Sequence, residues 1–451
     1  MSLPRYLEYK PSGVAWLGEV PGHWEELPLK IVASYNDDVI DETTEADQEI
    51  LYVDISSVDR AVGIVAKDAM SFSAAPSRAR RKVKDGDVIV STVRTYLRAI
   101  ARIVEPEENL VVSTGFAVIR PLERIFHGFL GYLLSANFFV DEVISKSVGV
   151  SYPAINASDL VSIKVPVPTI EEQQTIAAFL DRETGKIDTL IAEQQRLVEL
   201  LAEKRQAVIS HAVTKGLNPN ATMKDSGIEW LDVVPEHWEV KRLKTLSPFI
   251  SVGIVVNPSE YVSGEGLPFI YGGDITEGKI AFETSRRITD VDSRRNEKTR
   301  LSAGDLLTVR VGAPGITAVV PPECEGGNCA SVMHVRKGNF NSQWLCYSMN
   351  DKTVRYQVEV VQYGAAQEQF NIGHAINFWI ATPPLEEQNA IAAFLDTVTA
   401  KFATLTAEAN RAIALLQEHR STLISAAVTG KIDVRRHTGA GRYPVDERIP
   451  A

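Results

Sequence analysis

Two arginine-rich runs, each set against a Gly-Asp turn, are the residues in this sequence best placed to do chemistry. The first holds Arg78, Arg80, Arg81, Lys82 and Lys84 before Gly86-Asp87. The second holds Arg286, Arg287, Arg294, Arg295, Lys298 and Arg300 before Gly304-Asp305. Beyond each turn a short apolar run leads to further cations: Arg94 and Arg98 with Tyr96 between them in one copy, Arg310 in the other. Guanidinium groups clustered this way suit phosphate contact, and an arginine in a groove can grip O6 and N7 of guanine with two parallel N–H donors. The candidate nucleic-acid contacts here are Arg80, Arg81, Lys82, Arg94, Tyr96, Arg98, Arg294, Arg295 and Arg310, with Arg94, Arg98 and Arg310 expected to face a groove. The plain alternative is a solvated charged face.

A second region could add base contacts. It reads Gly149-Val150-Ser151-Tyr152-Pro153-Ala154-Ile155-Asn156 in one copy and Gly364-Ala365-Ala366-Gln367-Glu368-Gln369-Phe370-Asn371 in the other. Gly and Asn keep matching places while everything between them differs, as a reader of two different sequences needs; drift after duplication explains it equally well. Gln367 and Gln369 could pair with adenine N6 and N7, and Tyr152 could pack on a base edge.

Other chemistries fail on their residues. No Gly-x-x-x-x-Gly-Lys-Ser/Thr loop and no His-Glu-x-x-His pair is present. Cys324 and Cys329 form a lone C-x4-C with no second ligand pair, so no metal site is expected. Glu277-Gly278-Lys279 lacks the acidic partner a nuclease metal needs, and Thr382-Pro383-Pro384-Leu385 lacks the acidic or amide head and aromatic tail of an amino-methyltransferase motif. No catalytic centre is expected. The net charge of −11 argues against general attraction to a polyanion, so nucleic-acid binding would rest on local patches. Three cysteines, no signal-like N-terminus and no apolar run approaching membrane-spanning length point to a cytoplasmic protein without a membrane partner.

These residues are positioned by a duplicated framework. Glu171-Glu172-Gln173 and the segment Ile176-Ala177-Ala178-Phe179-Leu180-Asp181 return as Glu386-Glu387-Gln388 and Ile391-Ala392-Ala393-Phe394-Leu395-Asp396. Such fixed-offset similarity means internal repetition. From Thr169 to Gly216 the spacing predicts one helix of roughly 44 residues, about 65 Å long. Thr169 and Glu172 have the spacing of a capping box, and Gly216 suits a left-handed C-terminal position. Its apolar seam takes in Leu180, Ile187, Leu190, Leu197, Leu201 and Val208, and the copy offers Leu395, Phe402, Leu405, Leu416 and Leu423. Two such stripes most simply pack on each other as an antiparallel pair with the globular segments at opposite ends. Val20-Pro21-Gly22-His23-Trp24-Glu25 also returns, as Val234-Pro235-Glu236-His237-Trp238-Glu239, and reads as a turn with a tryptophan anchor, its histidines structural. Each globular segment, of about 165 residues, mixes short strands with helical spacing over residues 126–146 or from Trp344 onward.

Two globular segments, each followed by a long helix opening P-x-x-E-E-Q and I-A-A-F-L-D and closing A-V-T, resemble the specificity subunit of type I restriction–modification systems. The stretches Thr92-Val93-Arg94-Thr95-Tyr96-Leu97 and Arg310-Val311-Gly312-Ala313-Pro314-Gly315 are similar to parts of that family's target-recognition domains. The resemblance implies an α+β fold: two mixed α/β target-recognition domains in tandem, two long helices forming an antiparallel coiled coil, and a pseudo-twofold repeat. The segments would be 1–168, 169–216, 217–383, 384–430 and a flexible tail over 431–451. It also implies a non-catalytic subunit reading a split, asymmetric site in double-stranded DNA, one domain per half. Its partners would be two modification subunits, which methylate adenine N6 with S-adenosylmethionine, and restriction subunits that translocate and cleave DNA with ATP and Mg. No cofactor is expected in this chain. The rival readings are a stand-alone pseudo-symmetric DNA-binding or protein scaffold, and a fragment of a fused methyltransferase–specificity polypeptide.

Overall fold

The computed structural model describes residues 3–14, 16–41, 43–60, 62–364 and 368–436. Of the site residues expected from sequence, Gln367 lies outside these, as do residues 437–451 of the tail. The chain forms two compact units, Met1–Gln195 with Arg411–Ala451, and Arg196–Asn410. These units cut across the five sequence segments, because each long helix gives one half to each unit.

In the first unit the apolar run after Gly86-Asp87 becomes the strand Val88–Ser91, buried on both faces. It lies between Ile100–Arg102 and Phe116–Pro121, with Val88 opposite Ile119. Burial on both faces explains why the run shows no polar alternation. A second four-stranded sheet holds Asp68–Ser71, Glu49–Val53, Leu110–Ser113 and Ala79–Lys82 in that order. In the second unit Leu306–Thr308 sits between Met333–Val335 and Thr317–Val319, and a smaller sheet orders Arg286–Ile288, Leu267–Ile270 and Asn328–Cys329.

The Gly-Asp turns are structural. Gly86 and Gly304 take positive φ, +85° and +90°, which only glycine adopts without strain. The carboxylate of fully buried Asp87 accepts the Lys84 N–H at 2.8 Å and two N–H groups of Arg120 at 2.9 and 2.8 Å. In the second unit Asp305 accepts Nε2 of the buried His334 at 2.7 Å and the N–H groups of Ser302 and Lys337. Burial alone would raise the Asp305 carboxyl, but these hydrogen bonds outweigh it and hold it below the usual carboxylate range.

Helical spacing over 126–146 predicts one helix; the chain makes two, His127–Ser135 and Asn137–Ser145, divided at an extended Ala136. The second unit breaks likewise at Asp351, whose carboxylate then caps the N–H of Thr353.

The long helices run unbroken over Ile170–Lys215 and Leu385–Val428. In the first unit Leu180 and Ile187 share a core with Leu423, Ile424 and Val428, and Arg420 bonds Asp188 at 2.8 Å. In the second unit Ile209, Ala212 and Val213 share a core with Ile391, Ala392 and Leu395. The early half of one helix thus meets the late half of the other, an antiparallel pairing. Leu201 and Ala409 are buried too, while Phe402 and Leu416 are half-buried. Leu190, Leu197 and Leu405, placed in the seam on sequence, are instead 45, 41 and 47% exposed. Two helices share only a narrow seam, so residues a turn away from it face outward. By length and composition the second long helix is apolar enough to cross a membrane, contrary to the sequence expectation, although Asp396, Lys401, Glu408 and Arg411 are spaced along it.

The repeated motifs tie each globular part to its helix. Glu172 does not close a capping box: its N–H meets the Thr169 hydroxyl at 3.4 Å, while its carboxylate accepts Tyr6 Oη at 2.6 Å and His23 Nε2 at 2.9 Å. Glu387 takes His237 and the indole N–H of Trp238 in the same way, at 2.5 and 2.7 Å. Gln173 and Gln388, both buried, accept the N–H of Phe126 and of Asn341 and donate to Pro168 and Pro383. Tyr132 and Tyr347 donate to Asp181 and Asp396. Gly216 and Gly430 end the helices at φ +77° and +71°, each against the buried tryptophan of a Pro-x-His-Trp turn. Residues 431–436, assigned to the tail on sequence, pack on the first unit: Val434 is fully buried and the Asp433 N–H bonds Pro4 O.

Candidate nucleic-acid interface

The basic run of the first unit lies on and around the strand Ala79–Lys82. Arg80 bonds its neighbour's carbonyl and lies over the Phe72 ring. Arg81 is half-buried, with Nε unpartnered and its pKa pushed down by burial; Lys82 is exposed. The flanking cations are spent internally: Arg78 pairs with Asp54 and Lys84 with Asp38, each at 2.7 Å.

Past Val88–Ser91 the chain makes a tight turn over Thr95–Leu97, flanked by Arg94 and Arg98, both left-handed at φ +50° and +55°. The Ile155 N–H donates to Thr92 O, Val93 bridges Ala154, and the Thr95 and Ser147 hydroxyls meet at 2.8 Å. The structure thus brings the two candidate regions together. Arg94 lies over the ring of Tyr152, 4.9 Å from its centre, and Tyr96 is half exposed nearby in sequence. Arg98, expected to face a groove, pairs with Asp141 at 2.8 Å.

The second unit repeats the frame. Val148 and Ala154 exchange backbone hydrogen bonds across the 148–154 loop, and Tyr363 and Gln369 exchange the same pair across 363–369. Gly149 and Gly364 both take positive φ, +119° and +103°. Here the Phe370 N–H donates to Arg310 O, and Val311 bridges Gln369. Arg310 therefore holds the place of Thr92, not of Arg94, and Gly312 stands where Arg94 would. The Arg310 side chain points to Ser331 O at 3.4 Å. Gln369 is half-buried. Arg294 and Arg295 lie on a separate short helix, Asp290–Arg295, where Asp290 and Asp292 engage them. Sequence reasoning left out the exposed Val148, and it named Val150 and Arg286 in their segments without choosing them as contacts; Arg286 lies 4.1 Å over the Tyr271 ring. An apolar residue beside a loop glycine was the available signal for the valines.

The three cysteines are buried, and burial pushes their thiols up, Cys324 to about 11 and Cys346 to about 12, so none is a thiolate near neutral pH. Among the described residues no cluster of three or more His, Cys, Asp or Glu could hold a metal. His23 and His237 serve as anchors to the helices. What the geometry offers is a paired-loop surface, built twice on one frame, with different side chains on it.

The family model described as type I restriction modification DNA specificity domain matches residues 76–200 and 235–414. A chain named as the specificity subunit of the MjaX type I restriction enzyme of Methanocaldococcus jannaschii is 24% identical over 442 residues, covering 93% of this chain and 96% of that one. The EcoKI specificity subunit of Escherichia coli is 28% identical over 195 residues, 43% of this chain and 39% of that one. A chain from a structural study of complex assembly and conformational transition in the type I R-M system superposes with a TM-score of 0.71 at 25% identity, covering 91% of this chain and 98% of that one. The HsdS subunit from Thermoanaerobacter tengcongensis covers the same shares at a TM-score of 0.52, also 25% identical.

Proposed function

This chain belongs to the type I restriction–modification DNA specificity family, and on that premise we propose that it reads a bipartite, asymmetric DNA site, one half per unit, for partner subunits that act on the DNA. The observation that carries this reading is the duplicated loop frame. Residues 148–154 and 363–369 close with the same backbone bonds and differ in their contents, which is how one scaffold reads two sequences. The chain is the non-catalytic member of the complex. The two long helices are the ruler that sets the unread gap.

Two modification subunits would bring S-adenosylmethionine and methylate adenine N6, flipping the base into their own pocket. Restriction subunits would translocate and cleave with ATP and Mg, and the complex would work in the cytoplasm. Leu190, Leu197 and Leu405 along the helices suit docking of modification subunits, as do half-exposed Trp16, stacked on Phe138 at 4.7 Å, and Trp230 against Tyr356. With part of the DNA-embracing surface supplied by partners, the net charge of −11 no longer opposes DNA binding.

The test is to map N6-methyladenine in cells that express this chain with its neighbouring modification subunit. A split motif that appears only when the chain is present is the expected result. No chain-dependent motif, with the modification subunit shown to be active, would favour the scaffold reading instead.

A further inference from the structure

We propose that Arg94 reads a guanine in the half-site contacted by the first unit, with Tyr152 as its positioning residue, and that the second unit reads its half-site with no arginine at that place. The proposal rests on the DNA-reading assignment and narrows it to one side chain and one base.

Arg94 differs from several other cations of the first unit, although Arg80 and Lys82 likewise make no ion pair among the described residues. Arg78, Lys84, Arg98, Arg102 and Arg120 each pair with a carboxylate of the same unit. Arg94 is exposed and has no carboxylate within ion-pair distance among the described residues. Its contact is the face of Tyr152, itself 66% exposed, at 4.9 Å. A guanidinium held over a ring face keeps N–H donors free for a base edge while the ring limits the directions they can take. Donors limited in this way favour a bidentate grip on guanine O6 and N7.

The backbone is arranged to present this residue. A non-glycine at φ +50° is strained, and such strain persists only where the surroundings enforce it. Here the enforcing bonds lie on both sides: Ile155 N–H to Thr92 O at 2.9 Å, and Leu97 N–H to Arg94 O at 2.8 Å. The side chains on the same paired loops argue for a base over a phosphate. Val148, Val150 and Tyr96 are 81, 102 and 52% exposed, an apolar border that water disfavours and that suits base edges and thymine methyls. In the second unit Gly312 occupies the corresponding position, its N–H bonded to Glu368 O, so no side chain extends there.

The experiment compares methylation motifs written by the full complex carrying wild-type chain, Arg94→Ala, Arg94→Lys or Tyr152→Phe. Wild type should show a G·C pair in one half-site. Arg94→Ala should relax that single position by about fivefold or more in base preference, while the other half-site and the gap stay sharp. The intact second half reports that the variant chain is folded and assembled. Arg94→Lys should fail to restore the preference, since a lysine cannot make the two-pronged contact, and Tyr152→Phe, which keeps the ring face, should retain it. A uniform loss over all sequences with rescue by Arg94→Lys would mean a phosphate contact and overturn the proposal. So would a first half-site with no G·C pair, or an Arg94→Ala motif as sharp as wild type. A wild-type chain that writes no split motif would remove the DNA-reading assignment as well, and is told apart by that control.

Discussion

Inserting one heptad into each long helix, after Gln195 in the first and after Asn410 in the second, should move methylation to a site with a longer gap and leave both half-sequences unchanged. The original site should go unmethylated, which makes this the largest functional effect expected of any change here. Seven residues add about 10 Å at ~1.5 Å per residue, or about three base pairs at ~3.4 Å each. A full heptad is the increment to use, because it returns the residues beyond each insertion, Leu201 and Leu423 among them, to the seam that holds Leu180, Ile187 and Leu395. The same insertion in one helix alone puts every later seam residue out of register and should abolish assembly. Methylation mapping reads all three chains. A gap unchanged in the doubly lengthened chain would remove the ruler role of the helix pair.

The largest effect on stability is expected at Arg120. Its guanidinium makes two N–H contacts with Asp87, whose side chain has no solvent exposure, and a third with Asp38 at 2.7 Å. These hydrogen bonds, that to Asp87 foremost, raise the guanidinium pKa further despite burial. Arg120→Ala leaves a buried carboxylate with the Lys84 N–H for company, a change that typically costs about 3–5 kcal/mol. Arg120→Lys should recover little, since it cannot bond two carboxylate oxygens in parallel. The double variant Arg120→Ala with Asp87→Asn should be milder than the single one, because no buried charge remains. Urea unfolding of the chain measures this, and a loss under about 1 kcal/mol for Arg120→Ala would contradict it.

The second unit solves the same problem with His334, so its acid response follows Asp305. The folded carboxyl sits below its unfolded value of about 3.9, so its contribution is complete above that pH. It is lost as pH falls through the lowered folded value. His334→Ala should reduce this contribution without abolishing it, because the N–H groups of Ser302 and Lys337 still bond the carboxylate, and urea unfolding against pH measures the difference.

Much of the framework was legible because repetition exposes it. Glu172, Gln173 and Asp181 stood out by returning as Glu387, Gln388 and Asp396, and the structure gives each pair one shared partner type. Gly216 was readable as a helix end because only glycine takes φ +77° cheaply. The role of Glu172 was not readable, since Thr169 at three residues' distance mimics a capping box while the true partners, Tyr6 and His23, lie about 150 residues or more away in sequence. That Gly312 and not Arg310 holds the place of Arg94 was not readable, because the offset between copies is not constant. Gly86 and Gly304 are 218 residues apart, whereas Gly149 and Gly364 are 215 apart. Only the backbone bonds of Thr92 and Arg310 reveal the slip. Arg294 was legible in hindsight, with Asp290 four residues before it on a helix.

The most direct measurement of the central claim is a methylation map of a chain whose residues 217–383 are replaced by the matching segment of another family member. If each unit reads one half, the half-site read by the second unit should change to the donor's, while the other half and the gap stay as they were. A motif that changes in both halves, or in neither, would contradict the assignment of one half-site to each unit.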